Sequence, residues 1–172
     1  ADGAVNIDVE VSKEIPDLPL PRVGARLLLT QKPPSVAWVG RGPHENYPDR
    51  KQSADLGAWS CSRQAMQTPY IFPSENGLRC DAQLAQVGQV QVERVNDSFA
   101  FSVSDFGVDS LMSAQHTHER VQQQSLHLHI DGFHMGVGGD DSWTPSVRPE
   151  YLLNAETYRW GCRVSVARAD KG

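Results

Sequence analysis

Asp140 and Asp141 stand side by side in a stretch that runs from Asp131 to Pro145 and also holds four glycines, Ser142 and Trp143. Two carboxyl groups facing one sugar are the machinery of glycoside hydrolysis, set about 5–5.5 Å apart when configuration is retained. Neighbours on a turn usually diverge, and Asp and Ser beside glycine bond their own backbone. Asp140 and Asp141 are therefore read as turn residues that could also touch a substrate. Trp143 offers a different chemistry, a flat ring against which the C–H face of a hexose could pack. A core position is the competing reading for this tryptophan. His134, at the start of the glycine run, is a further candidate for ligand contact, or a buttress for the turn.

Other reactive types are scattered. Glu45, Asp49 and Glu75 lie in polar loops, and Arg41 and Arg50 lie close in sequence to Glu45 and Asp49. An arginine keeps a carboxylate ionised rather than tuning it as an acid, so loop-fixing pairs are expected there. His116 and His118, like His127 and His129, have an i, i+2 spacing that puts both imidazoles on one side of an extended chain. That spacing would suit a metal pair, but no third ligand is identifiable, and solvent-facing histidines are the expectation. Gly136, Gly138 and Gly139 lack the Lys-Ser/Thr that follows a phosphate-binding loop, and no G-x-S-x-G elbow occurs.

The elements that must position these groups follow a period of two. Val5, Ile7, Val9 and Val11 alternate with polar residues through Ala4–Ser12, the pattern of a half-buried antiparallel strand. Residues 26–29, 35–39, 78–85, 89–94, 99–103, 126–130 and 158–167 read likewise. Pro16, Pro19, Pro21, Pro33 and Pro34 interrupt the early connections. Residues 105–118 suggest the one helix, with Asp105 as cap and Val108, Leu111 and Met112 as a buried stripe. The expectation is an all-β, antiparallel β-sandwich with one short helix, and residues 1–172 as a single domain.

At 172 residues and a net charge of −5, with sixteen basic residues dispersed along the chain, nucleic acid and anionic membrane are not expected partners. No apolar run approaches the roughly 20 residues of a membrane span. The N-terminus shows no secretory signal. Cys61, Cys80 and Cys162 are odd in number and widely spaced, which points to thiols and a reducing cytoplasm.

Three segments, 40–50, 68–79 and 131–145, resemble in sequence and order the C-terminal domain of the large bacterial β-galactosidases, the lactose-hydrolysing glycoside hydrolases. The likeness begins near Val5 and runs almost to the C-terminus, weakest over 81–108. It implies a super-sandwich similar in fold to the galactose mutarotases. It also implies that Trp143 reaches across a domain boundary to offer its face to the sugar. A monovalent cation would sit on main-chain oxygens near Phe72-Pro73 and Leu111-Met112, and the parent enzyme would use magnesium and sodium. Family enzymes are several times longer, carry their catalytic glutamates on a (β/α)8 barrel with no counterpart here, and begin this domain well upstream of Ala1.

The expected role is thus an accessory part of a β-galactosidase, without catalytic residues of its own. Its partners would be the remainder of that chain or a large subunit, and the galactoside substrate. Self-association is expected where sheet edges are left open. A free-standing carbohydrate-binding module would show several exposed aromatics on one face, and a sugar-epimerase-like enzyme would need an acid and a base converging on one sugar.

Overall fold

The computed structural model describes residues 3–15, 17–139 and 147–167. In chain order the strands are β1 (Ala4–Ser12), β2 (Arg22–Leu29), β3 (Ser35–Gly42), β4 (Asp55–Ser62), β5 (Arg79–Ala82), β6 (Leu84–Val87), β7 (Val90–Arg94) and β8 (Phe99–Phe106). The helix α1 (Val108–Ser113) follows, then β9 (Gln122–His134) and β10 (Thr157–Val166). They form a six-stranded sheet, ordered β1-β10-β7-β6-β3-β4, and a four-stranded sheet, ordered β2-β9-β8-β5. Every pairing is antiparallel, so the expected all-β sandwich is the observed architecture.

Alternation explains the packing. Val36 and Trp38 of β3, Ala85 and Val87 of β6, Val92 of β7 and Cys162 of β10 turn inward from one sheet. They meet Phe99, Phe101 and Val103 of β8 and Leu126, Leu128 and Ile130 of β9. Trp38 and Phe101 join the layers edge to face at 6.1 Å between ring centroids. Burying each large apolar side chain contributes about 1.5–3 kcal/mol, so this seam is what holds the sheets together.

Several expectations need correction. The helix is short. Asp105 belongs to the end of β8, where Arg63 and Lys32 hold its carboxylate, and Gly107, in extended backbone, occupies the N-cap position. Met112 is 81% exposed, and Ser110 is the buried helical residue, so the expected stripe does not form. Residues 78–85 are not one strand: the chain leaves one sheet at Ala82 and enters the other at Leu84, with Asp81 at a φ of 53° at the crossing. β4 had no clear apolar signal, because its partly buried face is Gly57, Trp59 and Cys61.

His127 and His129 are not solvent-facing. Both are buried, because the outer face of β9 is itself covered. Gly107 lies so close that a Cβ there would be 3.1 Å from the His127 ring, and His127 Nε2 donates to Gln123 at 2.7 Å. Finally, residues 131–134 complete β9; the irregular glycine segment starts only after His134.

Candidate functional site

β9 ends at the mouth of a cleft of about 780 Å3, whose walls include Arg22, Tyr47, Tyr70, Glu75, His134 and Gly136. Residues as far apart in sequence as Arg22 and Gly136 are gathered here by the start of β2, the end of β9 and the loops that carry Tyr47, Tyr70 and Glu75, and each polar group has a physical reason for its position. Arg22 begins β2 directly opposite His134, next to a register shift between Val23 and Gly24. That shift turns Arg22 onto Asp131, which it grips with two nitrogens, while its other terminal nitrogen reaches Glu75 at 3.3 Å. Asp131 is only 2% exposed; burial pushes its carboxyl up and Arg22 opposes that. Burial likewise pushes Glu75 up, against Arg22 and with the charges of Asp131 and Glu45 adding to the rise. The pair is charge-assisted and bidentate, and is a holding device rather than a proton donor.

His134 is 9% exposed, with its ring edge-on to Tyr47 at 5.5 Å. Its Nδ1 donates to the Met135 carbonyl at 2.7 Å, which makes Nε2 the lone-pair nitrogen of the neutral ring. Burial and the charge of Arg22 lower its affinity for a second proton. His134 is therefore a neutral buttress that also lines the cleft.

The glycine segment leaves β9 as a clamped arm. Met135 N–H donates to the Pro21 carbonyl at 3.0 Å, Gly136 N–H to the Tyr151 carbonyl at 2.9 Å, and Gly138 N–H to Asp49 Oδ2 at 2.7 Å. A Cβ at Gly136 would stand 2.5 Å from the Asp49 carboxylate and one at Gly138 3.2 Å from it. The Gly-x-Gly spacing thus exists to let the backbone wrap a carboxylate. Trp143, Asp140 and Asp141 follow this arm but lie outside the described residues.

Glu45 pairs with Arg50 at 2.8 Å, accepts from Tyr70 Oη, and accepts from Gly77 N–H at 2.8 Å. Burial would raise its carboxyl, but the Gly77 and Tyr70 donors and Arg50 outweigh burial and hold it low. This loop-fixing pair was expected. Arg41 does otherwise: it bonds Asp81 at 2.5 Å together with Lys51 at 3.1 Å, because its place in β3 directs it toward the β5 crossing. Arg22 lies outside the segments singled out in the sequence, and Asp131, Tyr47 and Tyr70 enter only as members of the three resembling segments, because the contacts that give them roles are remote along the chain.

Phe72, Pro73, Leu111 and Met112 come together at a second hollow of about 290 Å3, beside Glu75 and Val108. α1 stops there for a definable reason. Gln115 and His116 N–H, the groups that would continue the helix onto Leu111 and Met112, donate instead to Glu119 Oε2 at 2.7 and 3.0 Å. The last helical carbonyls are left without those partners, and main-chain oxygens are the ligands a hard cation takes. Among the described residues no three His, Cys, Asp or Glu side chains are grouped to hold a metal ion. His116 and His118 stack at 5.6 Å in a solvent-exposed turn.

The model of the beta galactosidase small chain family matches residues 1–164. The chain belongs to that family. It is 50% identical over 167 residues to a protein named beta-galactosidase from Aeromonas hydrophila, which covers 94% of this chain and 16% of that protein. It is 48% identical to beta-galactosidases from Psychromonas ingrahamii, over 92% of the chain and 15% of the relative, and Vibrio cholerae, over 91% and 15%. This small-chain family member therefore spans about one sixth of the length of the curated relatives it matches. Neither a free-standing carbohydrate-binding module nor a sugar epimerase is favoured by these relatives. None of the described helices is long and apolar enough to cross a membrane.

Proposed function

We propose that the chain is an accessory segment of a β-galactosidase that hydrolyses terminal β-D-galactosides such as lactose, and that its clamped glycine arm carries Trp143 to a sugar site completed by a (β/α)8 barrel elsewhere in the polypeptide. The observation that carries this reading is the 50% identity running through 94% of the chain to one part of a beta-galactosidase. The local chemistry supports it. Glu45, Glu75 and Asp131 are each engaged by an arginine, and Asp49 by a backbone N–H, so these four groups serve to hold shape. Trp143 is assigned the role of platform, with His134, Asp140 and Asp141 contributing to the sugar-binding edge.

A monovalent cation on the main-chain oxygens of Phe72-Pro73 and Leu111-Met112 belongs to the same proposal, supported by their shared hollow. Magnesium and sodium are assigned to the parent enzyme. Three free thiols support a reducing cytoplasm as its compartment. The open sheet edges support self-association when the chain stands alone.

Trp143→Ala in the parent enzyme tests the platform. Loss of a sugar-stacking ring weakens substrate binding by about 1–3 kcal/mol, with Trp143→Phe retaining more and the rise in KM preceding any fall in kcat. Unchanged kinetics together with an unfolded chain would make Trp143 a core residue and remove it from the site.

A further inference from the structure

We propose that the cleft between Arg22, Tyr47 and Glu75 is the socket for a basic side chain, an arginine or lysine donated by the remainder of the longer polypeptide. The proposal rests on the accessory reading for its source of partner, and on the cleft alone for its chemistry.

Two carboxylate oxygens in and beside this cleft are buried with no hydrogen-bond partner among the described residues: Glu75 Oε1 and Asp49 Oδ1. Buried polar atoms are almost always satisfied, and leaving each one unmade costs about 1–3 kcal/mol. Both are carboxylate oxygens, which only accept when ionised. The missing group is therefore a donor.

The charge balance says that this donor is cationic. Glu75 and Asp131 face Arg22, Glu45 faces Arg50, and Asp49 stands beside the cleft on the Gly138 N–H. Arg79 stands behind Tyr47 with its guanidinium already bonded to the carbonyls of Pro43, Gly77 and Leu78. Among the described residues these four carboxylates and three arginines leave one negative charge in excess, with His134 held neutral. Burial pushes the Glu75 carboxyl up, with Asp131 and Glu45 adding to the rise and Arg22 opposing it, so a further cation beside it would favour the ionised form.

The walls select the shape of the guest. Val108, Val137 and Met135 supply apolar surface, suited to the methylene stem of an arginine or lysine whose head is the donor. A galactoside is a poorer guest. The Tyr47 ring is 1% exposed, with His134 edge-on to it and Arg50 over it, and the Tyr70 hydroxyl is engaged by Glu45 and Arg50. The cleft belongs to a chain that aligns with only 15–16% of its relatives' length, so most of the polypeptide is available to supply the guest.

Agmatine, an alkyl guanidinium, serves as the probe and isothermal titration as the readout. Saturable one-to-one binding to the 172-residue chain is expected. Glu75→Gln should weaken it about tenfold or more. In the longer polypeptide agmatine should not bind, the socket being filled. Absence of binding to the chain overturns the proposal. So does equal saturable binding when galactose, or sodium or potassium chloride at matched concentration, is titrated in place of agmatine. Undiminished agmatine binding to the longer polypeptide would mean a site for a free small molecule, and would also overturn it. None of these readouts involves galactoside turnover, so failure here is separable from failure of the accessory reading.

Discussion

Asp49 Oδ2 accepts the Gly138 N–H at 2.7 Å across 89 residues of sequence. This contact ties the loop after β3 to the segment that leaves β9, and it decides where the glycine arm starts. Gly136 and Gly138 are required because the carboxylate fills the space their side chains would take, which is a closer constraint than the backbone freedom for which glycine is usually chosen.

The two glycines should accordingly differ. Gly136→Ala forces a Cβ to 2.5 Å from the Asp49 carboxylate and 2.9 Å from Tyr151 Cβ, and should cost about 1–3 kcal/mol of stability. Gly138→Ala meets its nearest atom at 3.2 Å and should cost less. Urea midpoints for the two variants check the order; equal or reversed costs would contradict the clamp.

Arg22→Met should destabilise the chain by about 3–5 kcal/mol, because it strands Asp131, buried and charged, without a partner. Adding Asp131→Leu should restore most of the loss. A double variant no better than the single one would show that Arg22 acts through packing instead.

How legible was this arrangement in the sequence? Strict alternation delivered β1 from Ala4 to Ser12 and most of the sandwich, because one buried face per strand writes itself in a period of two. β4 escaped because its inward set includes glycine and cysteine, and β9 was read short because both its faces are covered. His127 and His129 sit at polar positions of the alternation yet are buried. The site was half legible. His134 and the Glu45–Arg50 pair came from local spacing, whereas Arg22–Asp131 joins residues 109 positions apart and needs the β2–β9 register to be seen. Asp105 read as a helix cap because nothing in the local sequence reveals Arg63 and Lys32 waiting for it.

Acid should loosen the fold through the buried histidines before the stabilised carboxylates titrate. Burial first, then the charges of Arg22, His127, Arg26 and His134, depress His129 from 6.5 to about 3. A histidine with a lowered folded value contributes stability that is complete above 6.5 and is lost as pH falls from there toward about 3, at about 1.4 kcal/mol per pH unit. His127 and His134 shift in the same direction. Glu75 and Asp131, pushed up by burial, work the other way, since the folded chain takes their protons first. The difference between wild type and His129→Gln isolates the histidine. Between pH 7 and pH 5 the wild type should lose about 2 kcal/mol relative to the variant; parallel profiles would contradict the assignment.

The thiols should react in order of burial. Burial pushes Cys80 up to about 12 and Cys162 to about 11, and raises the half-buried Cys61 against the opposing charge of Arg79. Native labelling at pH 8 should reach Cys61 first, with the other two reacting only on unfolding. All three should react in denaturant without reductant. Finding a single reactive thiol there would mean a disulfide and a different compartment.

The central claim is that this chain completes a galactosidase site without being one. The most direct measurement is hydrolysis of a chromogenic β-galactoside by three samples: the 172-residue chain, the parent polypeptide, and the parent with this segment deleted. The account predicts turnover by the intact parent, none above blank by the chain, and loss of turnover on deletion. Hydrolysis by the chain that survives repurification and is abolished by Glu75→Gln would contradict it, as would a deleted parent that works as well as the intact one.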